Sequence, residues 1–202
     1  RAHTVWILPM SDEFERSVMA TIDTYELLPP QVKLLLAVSG GPDSCALLTC
    51  MAALVPRVGM ARLVVACIDH GLRCESADEQ VFVAKLARAL GCEFVGRQIE
   101  LTSGAGLQEK ARRLRYDALA QIAKETDCQL IATGHTADDV VETMVINMTR
   151  GTGMEGVRSI PIQRGAIIRP LLEQRRSDID AYLTRQQITP RIDPSNAKNA
   201  YL

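Results

Sequence analysis

With 202 residues, 47% of them apolar and 23% charged, the chain can bury one substantial core and reads as a single globular domain. No apolar run reaches the ~20 residues of a membrane span, and the start of the chain lacks the basic head, apolar run and small-residue cleavage site of a secretion signal, so a cytoplasmic protein with no membrane partner is expected. Net charge is −1, but residues 149–202 carry nine basic against five acidic side chains, an asymmetry that permits a polyanion as partner. In chain order, the helical spacing of 12–27 is followed by a strand over 34–39, a helix over 43–55, a strand over 63–68 and a helix over 76–90 that Gly91 stops. A strand over 93–99, a helix over 107–125, a strand over 130–133, a helix over 137–148, a strand over 166–169 and a helix over 175–187 complete the series. Aliphatic strands alternating with helices predict an α/β protein with a mainly parallel sheet covered on both faces. Six scattered cysteines without a C-x-x-C pair read as reduced thiols.

Polar clusters stand where the predicted strands end, and in open α/β sheets ligands bind outside those carboxyl ends. The first is Ser39-Gly40-Gly41-Pro42-Asp43-Ser44, between a strand and a helix. Two glycines allow close approach of the backbone to an anion, and helix-start N–H groups attract it, so this loop suits a phosphate. It lacks the lysine of a Walker loop. The plainer alternative is a glycine turn with Asp43 capping the helix. The second cluster, Asp69-His70-Gly71-Leu72-Arg73, combines carboxylate, imidazole and guanidinium, against the alternative of a polar strand end with His70 satisfied locally. The third is Thr133-Gly134-His135-Thr136-Ala137-Asp138-Asp139, with Glu142 beyond it. Asp138 and Glu142, at i and i+4, share one helix face and suit a substrate ammonium; the alternative is an acidic helix start stabilised by the dipole. Spacing favours Asp138 over Asp139 as the residue facing the site. A fourth group, Glu109, Arg112, Arg115 and Tyr116, lies within a helix, where arginines are commonly solvated or ion-paired.

Ser-Gly-Gly-x-Asp-Ser resembles the pyrophosphate (PP) loop of the ATP-pyrophosphatase superfamily, whose members split ATP between the α and β phosphates. The Asp-His-Gly-Leu-Arg, Gly-His-Thr-Ala-Asp-Asp and Glu-x-x-Arg-x-x-Arg-Tyr strings are similar to elements of its tRNA(Ile)-lysidine synthetase branch. Three further pieces follow in the same order: Arg150-Gly151-Thr152-Gly153, Arg169-Pro170-Leu171-Leu172 and Asp193-Pro194-Ser195-Asn196. The resemblance runs from about Leu34 to Asn196. It implies a Rossmann-like open sheet of five strands, of the adenine nucleotide alpha-hydrolase-like type, and it implies ATP and Mg2+ as cofactors. Ser39, Gly40, Gly41 and Ser44 would hold pyrophosphate, Asp43 would place magnesium, and Pro42, Asp69, His70, Gly134 and His135 would complete the nucleotide set. Val140 departs from the family, which commonly has glutamine there. Most members continue into C-terminal tRNA-binding domains, so residues 10–202 read as the PP-loop catalytic domain alone, and residues 1–9, ahead of Met10, as an addition to the native start.

The implied reaction adenylates the carbonyl oxygen of the wobble cytidine of an isoleucine tRNA, releasing pyrophosphate; free L-lysine then attacks the carbon and AMP leaves. Lysine must first lose a proton, which gives a carboxylate or imidazole a defined task. On this reading Asp138 and Glu142 hold and deprotonate lysine, His135 meets the nucleotide or its developing charge, and Arg112 or Arg115 meets transition-state charge. The rivals are a tRNA sulfur transferase or a small-molecule ligase of the same superfamily, and a non-catalytic nucleotide-binding module. Oligomeric state is left open by the sequence.

Overall fold

The computed structural model describes residues 12–69, 76–99, 107–149 and 160–191. Its elements are α1 (Glu13–Thr24), β1 (Lys33–Ala37), α2 (Pro42–Val58), β2 (Arg62–Asp69), α3 (Ser76–Ala89), β3 (Glu93–Gln98), α4 (Leu107–Glu125), β4 (Leu130–Thr133), α5 (Ala137–Thr149), β5 (Gln163–Arg164), β6 (Ile167–Ile168) and α6 (Arg176–Arg185). Leu34, Leu35 and Leu36 are all fully buried, as an unbroken apolar run in a central strand requires. Their alternation sorts the two faces. Leu34 and Leu36 join Val65, Cys67, Ala132 and Ile168 in the larger core, beneath α1, α2, α3 and α6, whereas Leu35 and Ala37 join Val64, Ala66 and Ile131 against Leu119, Ile122 and Ala123 of α4. The expected two-faced α/β layering is therefore present.

The sheet has six strands in the order β3-β2-β1-β4-β6-β5, parallel except where β5 meets β6. The expected count was five. The extra strand is the two-residue Gln163–Arg164, exposed on both residues and paired back through a turn in which Gly165 takes φ +59°. So short and polar a strand has no periodicity to read. Helix limits agree with the sequence reading to within three residues, α4 at both ends without difference, and the departures have local causes. Asp12 is the N-cap of α1 rather than its first residue, its carboxylate accepting from the Phe14 amide at 2.8 Å. Gly91, at φ +71°, follows the end of α3 as expected.

The chain moves from β1 to β2 on one side and returns to β4 on the other, so loops leaving β1 and β4 diverge above the sheet between them. Such a crevice is the usual ligand position in a doubly wound sheet. Two remote tethers fix the rim that frames it: Glu173 accepts from Thr21 Oγ1 and Tyr25 OH, each at 2.9 Å, and Gln174 donates to Ser17 Oγ at 3.0 Å. No helix among the described residues is long and apolar enough to cross a membrane.

Candidate active site

The loop after β1 is organised around Ser44. Its hydroxyl accepts from the Ser39 and Gly40 amides at 3.1 and 3.2 Å, lies 3.2 Å from Ser39 Oγ, and donates to the Gly41 carbonyl at 2.9 Å. The Ser39 and Gly40 amides therefore point into the loop, toward Ser44. Gly40 needs its freedom, since it stands at φ +94°. Gly41 is the N-cap of α2 and Pro42 occupies its first turn, where a missing N–H costs nothing. Asp43 does not cap the helix, because the cap residue is Gly41 and no side chain bonds there. The amides of Asp43 and Ser44 precede the first intrahelical bond, Cys45 N to Gly41 O at 2.9 Å, and form the positive end of the helix dipole.

Gly134, after β4, packs directly on this helix start. A Cβ on it would stand 3.1 Å from the Asp43 carbonyl carbon and oxygen and 3.2 Å from the Ser44 nitrogen. The first and third sequence clusters are thus in contact. At the N-terminus of α5, Asp139 Oδ2 accepts from the Thr136 amide at 2.7 Å and from its hydroxyl at 3.2 Å, which makes Asp139 a capping residue. Asp138 instead turns to α6, accepting from the Arg176 amide at 2.8 Å. Glu142 stands one turn further along α5 and is exposed. Replacing Asp139 with alanine is expected to lower unfolding free energy by about 1 kcal/mol through loss of the cap, read in urea denaturation.

Arg176 was not singled out from the sequence. Its Nη1 donates to both Asp43 oxygens, at 3.0 and 2.9 Å, and its Nε lies 3.5 Å from Asp180. Burial pushes the Asp43 carboxyl up, the Arg176 guanidinium opposes this, and Asp139, Asp180 and Asp138 add to the rise. The available signal was electrostatic: Arg175 and Arg176 open α6 at its N-cap and first position, the end a helix dipole makes unfavourable for cations, so an external carboxylate had to be near.

A cavity of about 310 Å³ lies over the ends of β1 and β2, lined by Val38, Ser39, Gly41, Glu79, Arg115 and Arg191 among others. A second, of about 200 Å³, is lined by Arg112, Arg115, Tyr116, Thr133 and His135. Arg115 belongs to both. Burial holds its guanidinium below the usual arginine range, although the cavities leave it some solvent contact, and an anion in either one would relieve that cost. Arg112 stacks on Tyr116 at 5.8 Å. Arg169 is buried, with Nη1 donating to the Pro161 carbonyl at 2.6 Å and Nε left without a partner. His135 Nδ1 is 2.8 Å from Thr133 Oγ1; burial first, and then the Arg169 charge, push the imidazole down to about 4. Glu79 and Arg191 also escaped the sequence reading, which named Arg169 only as the first residue of the Arg-Pro-Leu-Leu piece. Arg191 is drawn in because its amide donates to the Gly40 carbonyl at 2.9 Å and its guanidinium lies 5.8 Å over the Phe82 ring.

Asp69 ends β2 on the same rim, its carbonyl accepting from the Ile99 amide at 2.8 Å. His70, with the rest of its cluster, lies outside the described residues, as do the Arg150 and Asp193 motifs. Glu109 is exposed on α4 and lines neither cavity.

The chain is similar to curated proteins called tRNA(Ile)-lysidine synthase. That of Novosphingobium aromaticivorans is 39% identical over 184 residues, covering 88% of this chain and 55% of that protein. That of Chlorobaculum tepidum is 38% identical over 188 residues, covering 90% and 56%. The chain thus spans about half the length of these relatives. Among solved structures, the U34-tRNA thiolase NcsA of Methanococcus maripaludis, described with its 4Fe-4S cluster, matches with a TM-score of 0.74 at 18% identity over 90% of this chain and 66% of that one. An NH3-dependent NAD synthetase of Campylobacter jejuni matches at 0.55 and 13%, covering 92% and 83%. At such identities these two establish shared fold alone. The family model described as PP-loop domain matches residues 10–202, and with the loop geometry above this places the chain in the PP-loop domain family.

Proposed function

We propose that this domain carries the chemistry of a tRNA(Ile)-lysidine synthetase: ATP-dependent ligation of free L-lysine to the wobble cytidine of an isoleucine tRNA, through an adenylated cytidine, with release of pyrophosphate and AMP. What carries the reading is the meeting of two clusters, Ser39–Ser44 and Gly134–Asp138, at one crevice in a chain 38–39% identical to curated lysidine synthases. Phosphate belongs at the start of α2, where the loop of Ser39, Gly40, Gly41 and Ser44 meets the dipole. The neighbouring cavity bounded by Val38 and Ser39 has room for the nucleoside, with Arg115 reaching it from α4. Asp43 fits a magnesium ion delivered with the nucleotide, since such an ion commonly takes one or two carboxylates plus phosphate oxygens and water, and both Asp43 oxygens already face a cation. Magnesium would neutralise phosphate charge there.

The base to be modified meets the Arg112, Arg115 and His135 wall, where the guanidinium groups face the α-phosphate that the base attacks and stabilise the negative charge developing on it. His135 is neutral at pH 7, so it acts by hydrogen bonding or as a proton acceptor and adds no cation. Asp138 and Glu142 present carboxylates on one face of α5 to the lysine ammonium. Cytoplasmic location follows from a tRNA substrate. A sulfur-transfer chemistry finds little support in the thiols among the described residues: burial pushes Cys45 and Cys67 up to about 12, and raises Cys50, Cys92 and Cys128 as well, away from the thiolate.

The test is release of labelled pyrophosphate from ATP and magnesium, with tRNA and lysine each supplied or withheld, on a protein extended to the length of its relatives. Release that needs tRNA, followed by lysine incorporation, bears the reading out; release indifferent to tRNA replaces it with a small-molecule ligase. Within that assay, Glu142→Gln is expected to raise the lysine concentration for half-maximal rate by roughly tenfold while leaving the ATP dependence alone, the loss of one charged contact. An unchanged lysine dependence would remove Glu142 from the lysine site.

A further inference from the structure

We infer that Arg176 is a built-in counter-cation for Asp43, which a divalent metal must displace to reach that carboxylate. The inference rests on the reading of Asp43 as the magnesium-side residue. Arg176 Nη1 holds both Asp43 oxygens, at 3.0 and 2.9 Å, so the face of the carboxylate turned to α6 is closed. Metal and guanidinium are both cations and repel, the guanidinium has no lone pair to offer a metal, and one carboxylate cannot serve both at full strength. Arg176 has a place to go: Asp180 lies 3.5 Å from its Nε, one turn along the same helix, and could take the whole guanidinium. Asp138 stays where it is during that exchange, because it is bound by the Arg176 backbone amide at 2.8 Å and not by the side chain.

Two consequences follow from this arrangement. Without nucleotide, metal binding at Asp43 is weakened by its competition with Arg176, so the cation arrives effectively only with ATP phosphates to add their attraction. Release of the guanidinium also frees Asp43 for the metal while Asp138 keeps its bond to the Arg176 backbone amide. Arg176 is on this account a positioning residue for Asp43, acting through the carboxylate.

Binding of Mn2+ alone to the nucleotide-free chain, followed by electron paramagnetic resonance of the free ion, tests this without calling on catalysis. Arg176→Gln is expected to tighten Mn2+ binding by roughly two- to fivefold, the range set by losing one partly exposed ion pair, and Arg176→Lys to fall between. Asp43→Asn in the Arg176→Gln background should abolish the gain. Equal Mn2+ affinity in wild type and Arg176→Gln overturns the counter-cation role even if Asp43→Asn removes binding. Binding unaffected by Asp43→Asn overturns the metal assignment with it. Should Arg176→Gln fold poorly, the wild-type protein gives the answer: the Arg176 Nε–H resonance should shift and exchange faster on adding Mg2+ with a non-hydrolysable ATP analogue, and an unmoved resonance rejects the displacement.

Discussion

Replacing Gly134 with alanine is expected to weaken binding of a non-hydrolysable ATP analogue by roughly three- to tenfold, since the start of α2 must yield by a fraction of the ~1 Å misplacement that costs about a hundredfold. The new Cβ would meet the Asp43 carbonyl carbon and oxygen at 3.1 Å and Ser44 N at 3.2 Å, and all three neighbours are backbone of the first turn of α2. No side chain can rotate out of the way, so the two loops must part. Calorimetric titration reads the affinity, and circular dichroism confirms that the sheet and helices persist. Gly59→Ala is the control. Gly59 stands at φ +62° with nothing within 4 Å of the added carbon, so it incurs backbone strain in stability but should leave the affinity intact. Gly40 differs from both, since its Cβ would meet only ordinary contacts, Val83 at 3.5 Å and Phe82 at 3.7 Å, and its requirement is the φ of +94°. An affinity unchanged in Gly134→Ala would show that nucleotide binding does not depend on the seam between the two loops.

That seam marks the boundary of what the sequence discloses. Every element whose identity depends on a local pattern was legible: the unbroken Leu34–Leu36 run, the helical period of 107–125, the left-handed stop at Gly91. The first and third rim clusters and Asp69 of the second were legible too, because each follows a strand and chain direction in a parallel sheet sends every such strand end to the same edge. Pairings between distant residues were not. Arg176 and Asp43 are 133 positions apart, and nothing near either names the other, although a cation in the first turn of a helix hints that a carboxylate compensates it. Spacing favoured Asp138, and the cap bond that occupies Asp139 with Thr136 is something only the local geometry displays. Arg169 looked like part of a turn. Burial turns it into a fixed positive charge that His135 feels.

The influence of that charge is measurable through His135. Its imidazole titrates near 4 in the folded chain against 6.5 when free, so between those values the unfolded chain binds a proton that the folded one refuses. Stability from this source is therefore complete above pH 6.5 and is lost as pH falls toward 4; at pH 5 the loss is about 2 kcal/mol. Urea unfolding of wild type and His135→Asn at pH 7 and pH 5 isolates it, since the other carboxylates titrate alike in both and asparagine can keep a bond to the Thr133 hydroxyl. Wild type should lose about 2 kcal/mol more than the variant over that interval. Equal losses would mean that His135 is solvated enough to protonate in place. An anion seated among Arg112, Arg115 and Arg169 should favour the imidazolium and return the His135 titration toward 6.5. With the ATP analogue bound, the wild-type excess loss at pH 5 should then shrink, and analogue binding should strengthen in wild type relative to His135→Asn as pH falls. A difference that stays the same with and without the analogue would place the nucleotide charge away from this wall.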